Sequence, residues 1–336
     1  MTNLFVARSA EPEDYWRAIV LYGRNVQSYK FALAAALLDL KPQAGTLLKL
    51  EDLAPAYAKH LARHLSTAPK QGTSRSSQFL DACRAFNQDG NQERLVTAAL
   101  KGGFNDVIKA FHIVGQGPLD QPFFLDERKA NAGLRITDEF SKILESTQQR
   151  NLPHEVEARW NLVETAWELG VASSMLSIHH DPDEGRLFAF TGSQRRKAVT
   201  SSRPALNGYQ RGRCFYCRCA ISIDEPVTAD VDHLFPHALK LAGGFDEVDR
   251  IWNLVLACRT CNRGHDGKFM SVPHEDFLKK LHLRNEYYIG SHHHLRETLI
   301  QQTGASEPDR RAYIGNFFNR AHKALPGKPW KPKILQ

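Results

Sequence analysis

Two Cys-x-x-Cys pairs, Cys214-Phe-Tyr-Cys217 and Cys258-Arg-Thr-Cys261, stand forty residues apart in this chain. A thiolate pair of that spacing offers two ligands to one ion, and two such pairs complete the tetrahedron that zinc prefers. A closed four-cysteine set leaves no position for water, so such an ion would be structural. It would tie together two distant segments that have little core of their own. Cys219 could displace Cys217 as a ligand, but the Cys-x-x-Cys geometry favours Cys217 and leaves Cys219 as a small buried residue. Cys83 stands alone. Clustered pairs of this kind point to metal rather than to disulfides.

Chemistry of a second kind lies between the pairs, in Asp230-Val-Asp232-His233-Leu-Phe-Pro236-His237. The alternation predicts a short strand ending at Pro236. Asp232 can bind a hard divalent cation, while His233 points elsewhere and can take a proton from water near neutral pH. Asn262, directly after Cys261, is held by the zinc site and offers a neutral oxygen to the same cation. One carboxylate and one amide leave room for water and phosphate oxygens, which suits Mg2+ or Mn2+.

In this order and spacing, Cys-x-x-Cys, VDHLFPH and WNLVLACRTCN resemble the HNH nuclease family, and within it the group braced by a four-cysteine zinc. The match covers about sixty residues, 211–270, roughly a fifth of the chain. The resemblance implies a ββα-metal module with a structural Zn2+ and a catalytic Mg2+ or Mn2+. It implies His233 as general base, Asp232 as the metal-binding carboxylate and Asn253 as a buttress of the loop that holds the base. Asn262 takes the third position, where many members carry His. His237, His265, Lys268, Arg211 and Arg213 are candidate phosphate contacts. The implied reaction is hydrolysis of DNA phosphodiester bonds to 5′-phosphate ends, as family members perform in phage defence and mobile-element biology. Two alternatives stay open: an RNA substrate, and a zinc-stabilised nucleic-acid-binding module without catalysis.

The surrounding composition agrees with a nucleic-acid partner. Net charge is +7, and the stretch Gly185–Ile223 carries Arg186, Arg195, Arg196, Lys197, Arg203, Arg211, Arg213 and Arg218 with no acidic residue. Such an excess attracts phosphates and releases their counterions. At 336 residues with 42% hydrophobic and 24% charged content, the chain reads as an ordinary globular protein. Its apolar runs are too short to span a bilayer, and its start lacks a secretory signal, so a cytoplasmic location without membrane contact is expected. No GxxxxGK[ST] phosphate loop is present.

The elements that must position these residues read as mainly α with a small α+β module. Tyr22, Val26, Tyr29, Leu33, Leu37 and Leu40 form one helical stripe, Glu51 to Leu65 a second helix, and Pro153 to Leu169 a third, with Val156, Trp160, Val163 and Trp167 on its core face. Four regions follow: a helical domain over 1–178, expected to recognise a protein partner or DNA or to regulate the nuclease, a basic linker over 179–205, the nuclease module over 206–270, and a helical extension over 271–336 with an irregular basic tail. Other histidine groups read as bland. His60 and His64 are expected on an exposed helix face, His179-His180-Asp-Pro-Asp-Glu in an acidic loop, and Ser291-His292-His293-His294 in a structural role.

Overall fold

Helix dominates the chain, with short antiparallel sheets between the helices. The computed structural model describes residues 11–22, 27–72, 77–114, 117–168, 178–181, 183–190, 196–290 and 295–333. Ser291–His294 and Arg195 lie outside the described residues, as do the side chains of Arg196 and Lys197. Two compact units divide the chain, Met1–Gly170 and Val171–Gln336. Among the described residues no helix is long and apolar enough to cross a membrane.

The first unit begins with α1 (Pro12–Arg17), α2 (Tyr29–Leu40), β1 (Leu47–Lys49) and α3 (Leu50–Thr67). It continues through α4 (Gln78–Asp89), α5 (Gln92–Ala98), α6 (Asn105–Ala110), β2 (Ile113–Val114) and β3 (Gly117–Pro118). It ends with β4 (Phe124–Glu127), α7 (Arg128–Asn131), β5 (Gly133–Ile136), α8 (Asp138–Glu145) and α9 (Leu152–Glu168). The purely helical reading of this region is therefore incomplete. The sheet β1-β5-β4 and the hairpin β2-β3 have strands of two to four residues, too short to write an alternating pattern.

Helix α2 also departs from the one-stripe expectation. It starts at Tyr29, Tyr22 belongs to a π-turn over Ala18–Tyr22, and Val26 lies outside the described residues. Phe31, Ala32, Leu33, Ala34, Ala36 and Leu37 are all fully buried, so the helix is wrapped on nearly every side. Its alanines let α3 and α9 approach closely. Helix α3 presents Leu53, Tyr57 and Leu61 to the interior, where Tyr57 stacks on Phe104 at 4.6 Å.

His64 on α3 is a correction. It is 3% exposed rather than on the surface, with its ring stacked on Trp160 of α9 at 3.5 Å. Its Nδ1 lies 2.7 Å from Glu164 and its Nε2 3.2 Å from Glu157. Burial opposes the charged imidazole, but hydrogen bonds to the two glutamates overcome it and raise the pKa. His60 is mostly covered and pairs with Asp39 at 2.7 Å.

The second unit opens with a three-stranded antiparallel sheet of β6 (Ile178–Asp181), β7 (Arg186–Phe190) and β8 (Arg196–Ser201). The expected basic linker over 179–205 is therefore folded structure. Its polar punctuation is a hairpin turn: Asp181 Oδ1 accepts from the backbone N–H groups of Asp183 and Glu184, and Gly185 takes φ +61°. Leu187, Phe188 and Ala189 fill the interior behind it. α10 (Ser202–Gln210), β9 (Ala229–His233), β10 (Leu254–Cys258) and α11 (Arg259–Arg263) follow. β9 and β10 pair antiparallel, His233 opposite Leu254 and Ala229 opposite Cys258, and α11 continues directly from β10.

α12 (Asp276–Gly290), α13 (Arg296–Thr303) and α14 (Glu307–Ala324) form the helical extension. Phe317 of α14 packs on Trp252 and Phe235. The tail beyond α14 is irregular, as expected, but it is anchored. Trp330 pairs with Val272 and His274 through its backbone, and its ring stands edge-on to Tyr216 at 5.0 Å.

Candidate functional site

The four expected zinc ligands come together. Cys214, Cys217, Cys258 and Cys261 place one sulfur each within 4.8 Å of all the others. Zinc–sulfur bonds of about 2.3 Å at tetrahedral angles put sulfurs about 3.8 Å apart; Cys217 Sγ and Cys258 Sγ are separated by 3.8 Å. The set can hold a metal ion, and four thiols are consistent with the expected structural zinc. Two pieces of backbone build it. The knuckle over 214–219 is closed by Cys214 N–H donating to Cys219 O at 2.9 Å, with Arg218 left-handed at φ +67°. Phe215 N–H donates to Leu256 O and seats the knuckle on β10. The other thiols flank the start of α11. Cys219 is exposed, contrary to its expected burial, and stays outside the four-sulfur group.

Asp232 lies on β9 and is only 7% exposed. Its Oδ2 accepts from the Tyr216 hydroxyl, and its Oδ1 is 3.2 Å from Lys268 Nζ. Burial pushes the Asp232 carboxyl up, partly offset by the Lys268 ammonium and the Tyr216 hydrogen bond. Burial and the neighbouring carboxylate together keep the Tyr216 hydroxyl protonated far above the usual tyrosine range. So the aromatic spacer of the first Cys-x-x-Cys pair is the residue that holds the candidate carboxylate.

Lys268 corrects its expected role as a phosphate contact. It is fully buried and cannot reach a phosphate from there. The return over 264–268 carries it inward: Gly267 N–H donates to Gly264 O, and Lys268 N–H to Cys261 O, both at 2.7 Å. A Cβ on Gly267 would lie 2.8 Å from Gly264 N, so only glycine fits this return.

Asn262 turns to a carboxylate other than Asp232. Its Nδ2 donates to Asp230 Oδ2 at 3.2 Å, and Arg263 grips both Asp230 oxygens. Asp230 and Asp232 are two apart on β9 and share a face. Two carboxylates and an amide along one face suit a hard dication chemically. In this arrangement the carboxylate oxygens are engaged by Lys268, Tyr216, Arg263 and the Asn262 amide nitrogen.

His233 ends β9 with its side chain 13% exposed. Asn253, fully buried, clamps the backbone that follows. Its Oδ1 accepts from Phe235 N–H at 2.8 Å, and its Nδ2 donates to Phe235 O and Val248 O at 3.0 and 2.7 Å. Arg284 of α12 braces the same stretch through the carbonyls of Trp252 and Leu254, on either side of Asn253. His233, Asp232, His237 and Lys240 line a cleft of about 360 Å³ rimmed by exposed Leu241, Phe269 and Met270.

Residues that the motif pattern did not single out complete this corner. Asp249 Oδ1 lies 3.2 Å from His233 Nε2 and 3.5 Å from His237 Nε2, while Lys240 takes Asp249 Oδ2. Burial would raise the Asp249 carboxyl, but His233 and Lys240 outweigh it and hold it well below the usual range. His180 of β6 sets its ring 6.1 Å from that of His233. Burial, reinforced by His233, pushes the His180 pKa down to about 4. Asp249 is the acidic residue four before Asn253, its one sequence signal; His180 arrives through the sheet, which no local pattern announces.

Of the remaining candidates, His265 is 97% exposed and His237 56% exposed. Arg213 is exposed and Arg211 half-buried; Arg186, Arg203 and Arg218 also reach the surface. Compared with models of known families, with curated proteins and with solved structures, the chain matches none.

Proposed function

We propose that residues 206–270 form an HNH-type nuclease site that hydrolyses DNA phosphodiester bonds, with His233 as general base. The observation that supports this best is one conjunction: His233 ends a strand beside buried Asp232, its following loop clamped by Asn253, in a cleft open to solvent. His233 takes a proton from water, a role worth about 10²–10⁴-fold. Asp249, 3.2 Å away, stabilises the imidazolium that results. A Mg2+ or Mn2+ ion at Asp232 and Asn262 would supply charge stabilisation at the phosphate. Exposed Arg186, Arg213, Arg218 and His265 grip the polymer backbone without reading sequence. The zinc at Cys214, Cys217, Cys258 and Cys261 holds the knuckle, and through Tyr216 it holds Asp232. Residues 1–170 are proposed to recognise a protein partner or a DNA structure.

One observation favours a second reading, a zinc-stabilised nucleic-acid-binding module without catalysis: Lys268 and Tyr216 already engage both oxygens of Asp232. Incubating the purified protein with supercoiled plasmid, with Mg2+ and with an EDTA control, separates the two. Magnesium-dependent nicking supports the nuclease, and tight DNA binding with no nicking supports the module. Labelled duplex DNA, single-stranded DNA and structured RNA, run side by side, identify the polymer.

A further inference from the structure

Buried polar atoms without hydrogen-bond partners gather around His233. Both ring nitrogens of His180, His233 Nε2 and Asp249 Oδ1 are all shielded from solvent without one. Leaving such a group unpaired costs roughly 1–3 kcal/mol; His233 Nε2 and Asp249 Oδ1 offset part of this as an ion pair, but both nitrogens of His180 still call for a physical cause. His233 Nε2 and Asp249 Oδ1 are 3.2 Å apart but off the line of a hydrogen bond.

We propose that His180, His233, His237 and Asp249 bind one transition-metal dication, separate from the four-cysteine ion and from the Asp232–Asn262 position. Two donor–donor edges and two ring separations are compatible with such an ion, although among the described residues only the four cysteines already stand close enough together to hold one. Bonds of about 2.1 Å at tetrahedral angles put neighbouring donors about 3.4 Å apart. The edges from Asp249 Oδ1 to His233 Nε2 and to His237 Nε2 are 3.2 and 3.5 Å. Imidazoles sharing an ion have ring centres about 5–6.5 Å apart by the same bond lengths. His233 lies 6.1 Å from His180 and 5.7 Å from His237 by that measure.

This set is looser than the thiol cluster, so the imidazoles must swing inward to close on an ion. Room and access exist, because His233 and His237 line the open cleft. Lys240 occupies Asp249 Oδ2 and leaves Oδ1 as the donor. Its ammonium weakens binding of a dication without blocking it. Three nitrogens and one oxygen select zinc, cobalt or nickel over magnesium. The consequence for regulation rests on the nuclease reading: an ion on His233 takes up the lone pair a general base uses, so these metals inhibit cleavage.

The test uses the full chain carrying its cysteine-bound ion, freed of excess metal, and titrated with Co2+ or Ni2+ by calorimetry and visible absorption. One further equivalent per chain is expected, with magnesium unable to displace it. His180→Ala and His237→Ala should each weaken that equivalent about tenfold or more, with the cysteine-bound ion retained. His237 is exposed enough that its replacement spares the fold. Absence of the second equivalent, or equal affinity in the parent and both variants, overturns the proposal. Because ion binding is read directly, a protein that binds the ion yet never nicks plasmid refutes the nuclease reading alone.

Discussion

Replacing Lys268 by methionine keeps the length of the side chain and removes the charge beside Asp232. In the native chain Lys268 is 0% and Asp232 7% exposed. Removing one partner of a buried ion pair costs roughly 3–5 kcal/mol, because the other charge stays behind uncompensated. Tyr216 continues to donate to Asp232, so the lower end, about 3 kcal/mol at pH 8, is the expected loss. Asp232 can relieve part of it by taking a proton. Burial already raises its carboxyl, so its contribution to stability is full at low pH and falls as pH rises through the folded value. The penalty in Lys268→Met should therefore shrink at pH 5. Amide hydrogen exchange on β9 and β10 reads this locally, and a 3 kcal/mol loss appears as exchange on the order of a hundredfold faster. Lys268→Met/Asp232→Asn removes both charges and should recover more than about 1 kcal/mol of the loss. Parental exchange rates in the single variant at pH 8, or a double variant no better than the single, would refute the buried pair.

Other perturbations test other parts. Asn253→Ala strips partners from the N–H and C=O of Phe235 and from the C=O of Val248. At about 1–3 kcal/mol per buried orphan, urea unfolding should show at least about 2 kcal/mol lost; an unchanged midpoint contradicts the clamp. Cys258→Ser should lose the bound metal, by atomic absorption, and fold poorly; a soluble variant with full metal content and activity sinks the structural role. His64, with its raised pKa, contributes stability that is whole below its ordinary value of 6.5 and declines as pH rises through the folded value. His64→Gln should flatten that decline in melts taken from pH 5 to 9, and an unchanged pH slope argues against it.

Much of the site was legible because its residues lie close together in sequence. The cysteine spacing announces the four-sulfur cluster, and the alternation before Pro236 announces β9, although the strand ends at His233 rather than at Pro236. What escaped notice arrives from far away. Tyr216 reads as a spacer between two cysteines until Asp232 is seen beneath it. Lys268, in a polar stretch of glycines and charges, reads as surface, yet a tight glycine return buries it. Asp249 sits in an acidic run and looks solvated, although His233 and Lys240 enclose it. His180 comes from a sheet, although the sequence that follows it, Asp-Pro-Asp-Glu-Gly, resembles an acidic loop when read one-dimensionally. In the first unit the helices were visible, but His64 at i+4 from His60 looked exposed. Nothing local shows that Trp160, Glu157 and Glu164 come from ninety or more residues away to cover it.

The central claim is that His233 is the base of a magnesium-dependent phosphodiester cleavage. The most direct test compares initial plasmid-nicking rates of the parent and His233→Ala in Mg2+, with DNA affinity by gel shift and metal content taken on the same samples. A fall of about 10²–10⁴-fold in rate, with affinity and cysteine-bound metal unchanged, is the predicted result. Nicking by His233→Ala at the parental rate would contradict it.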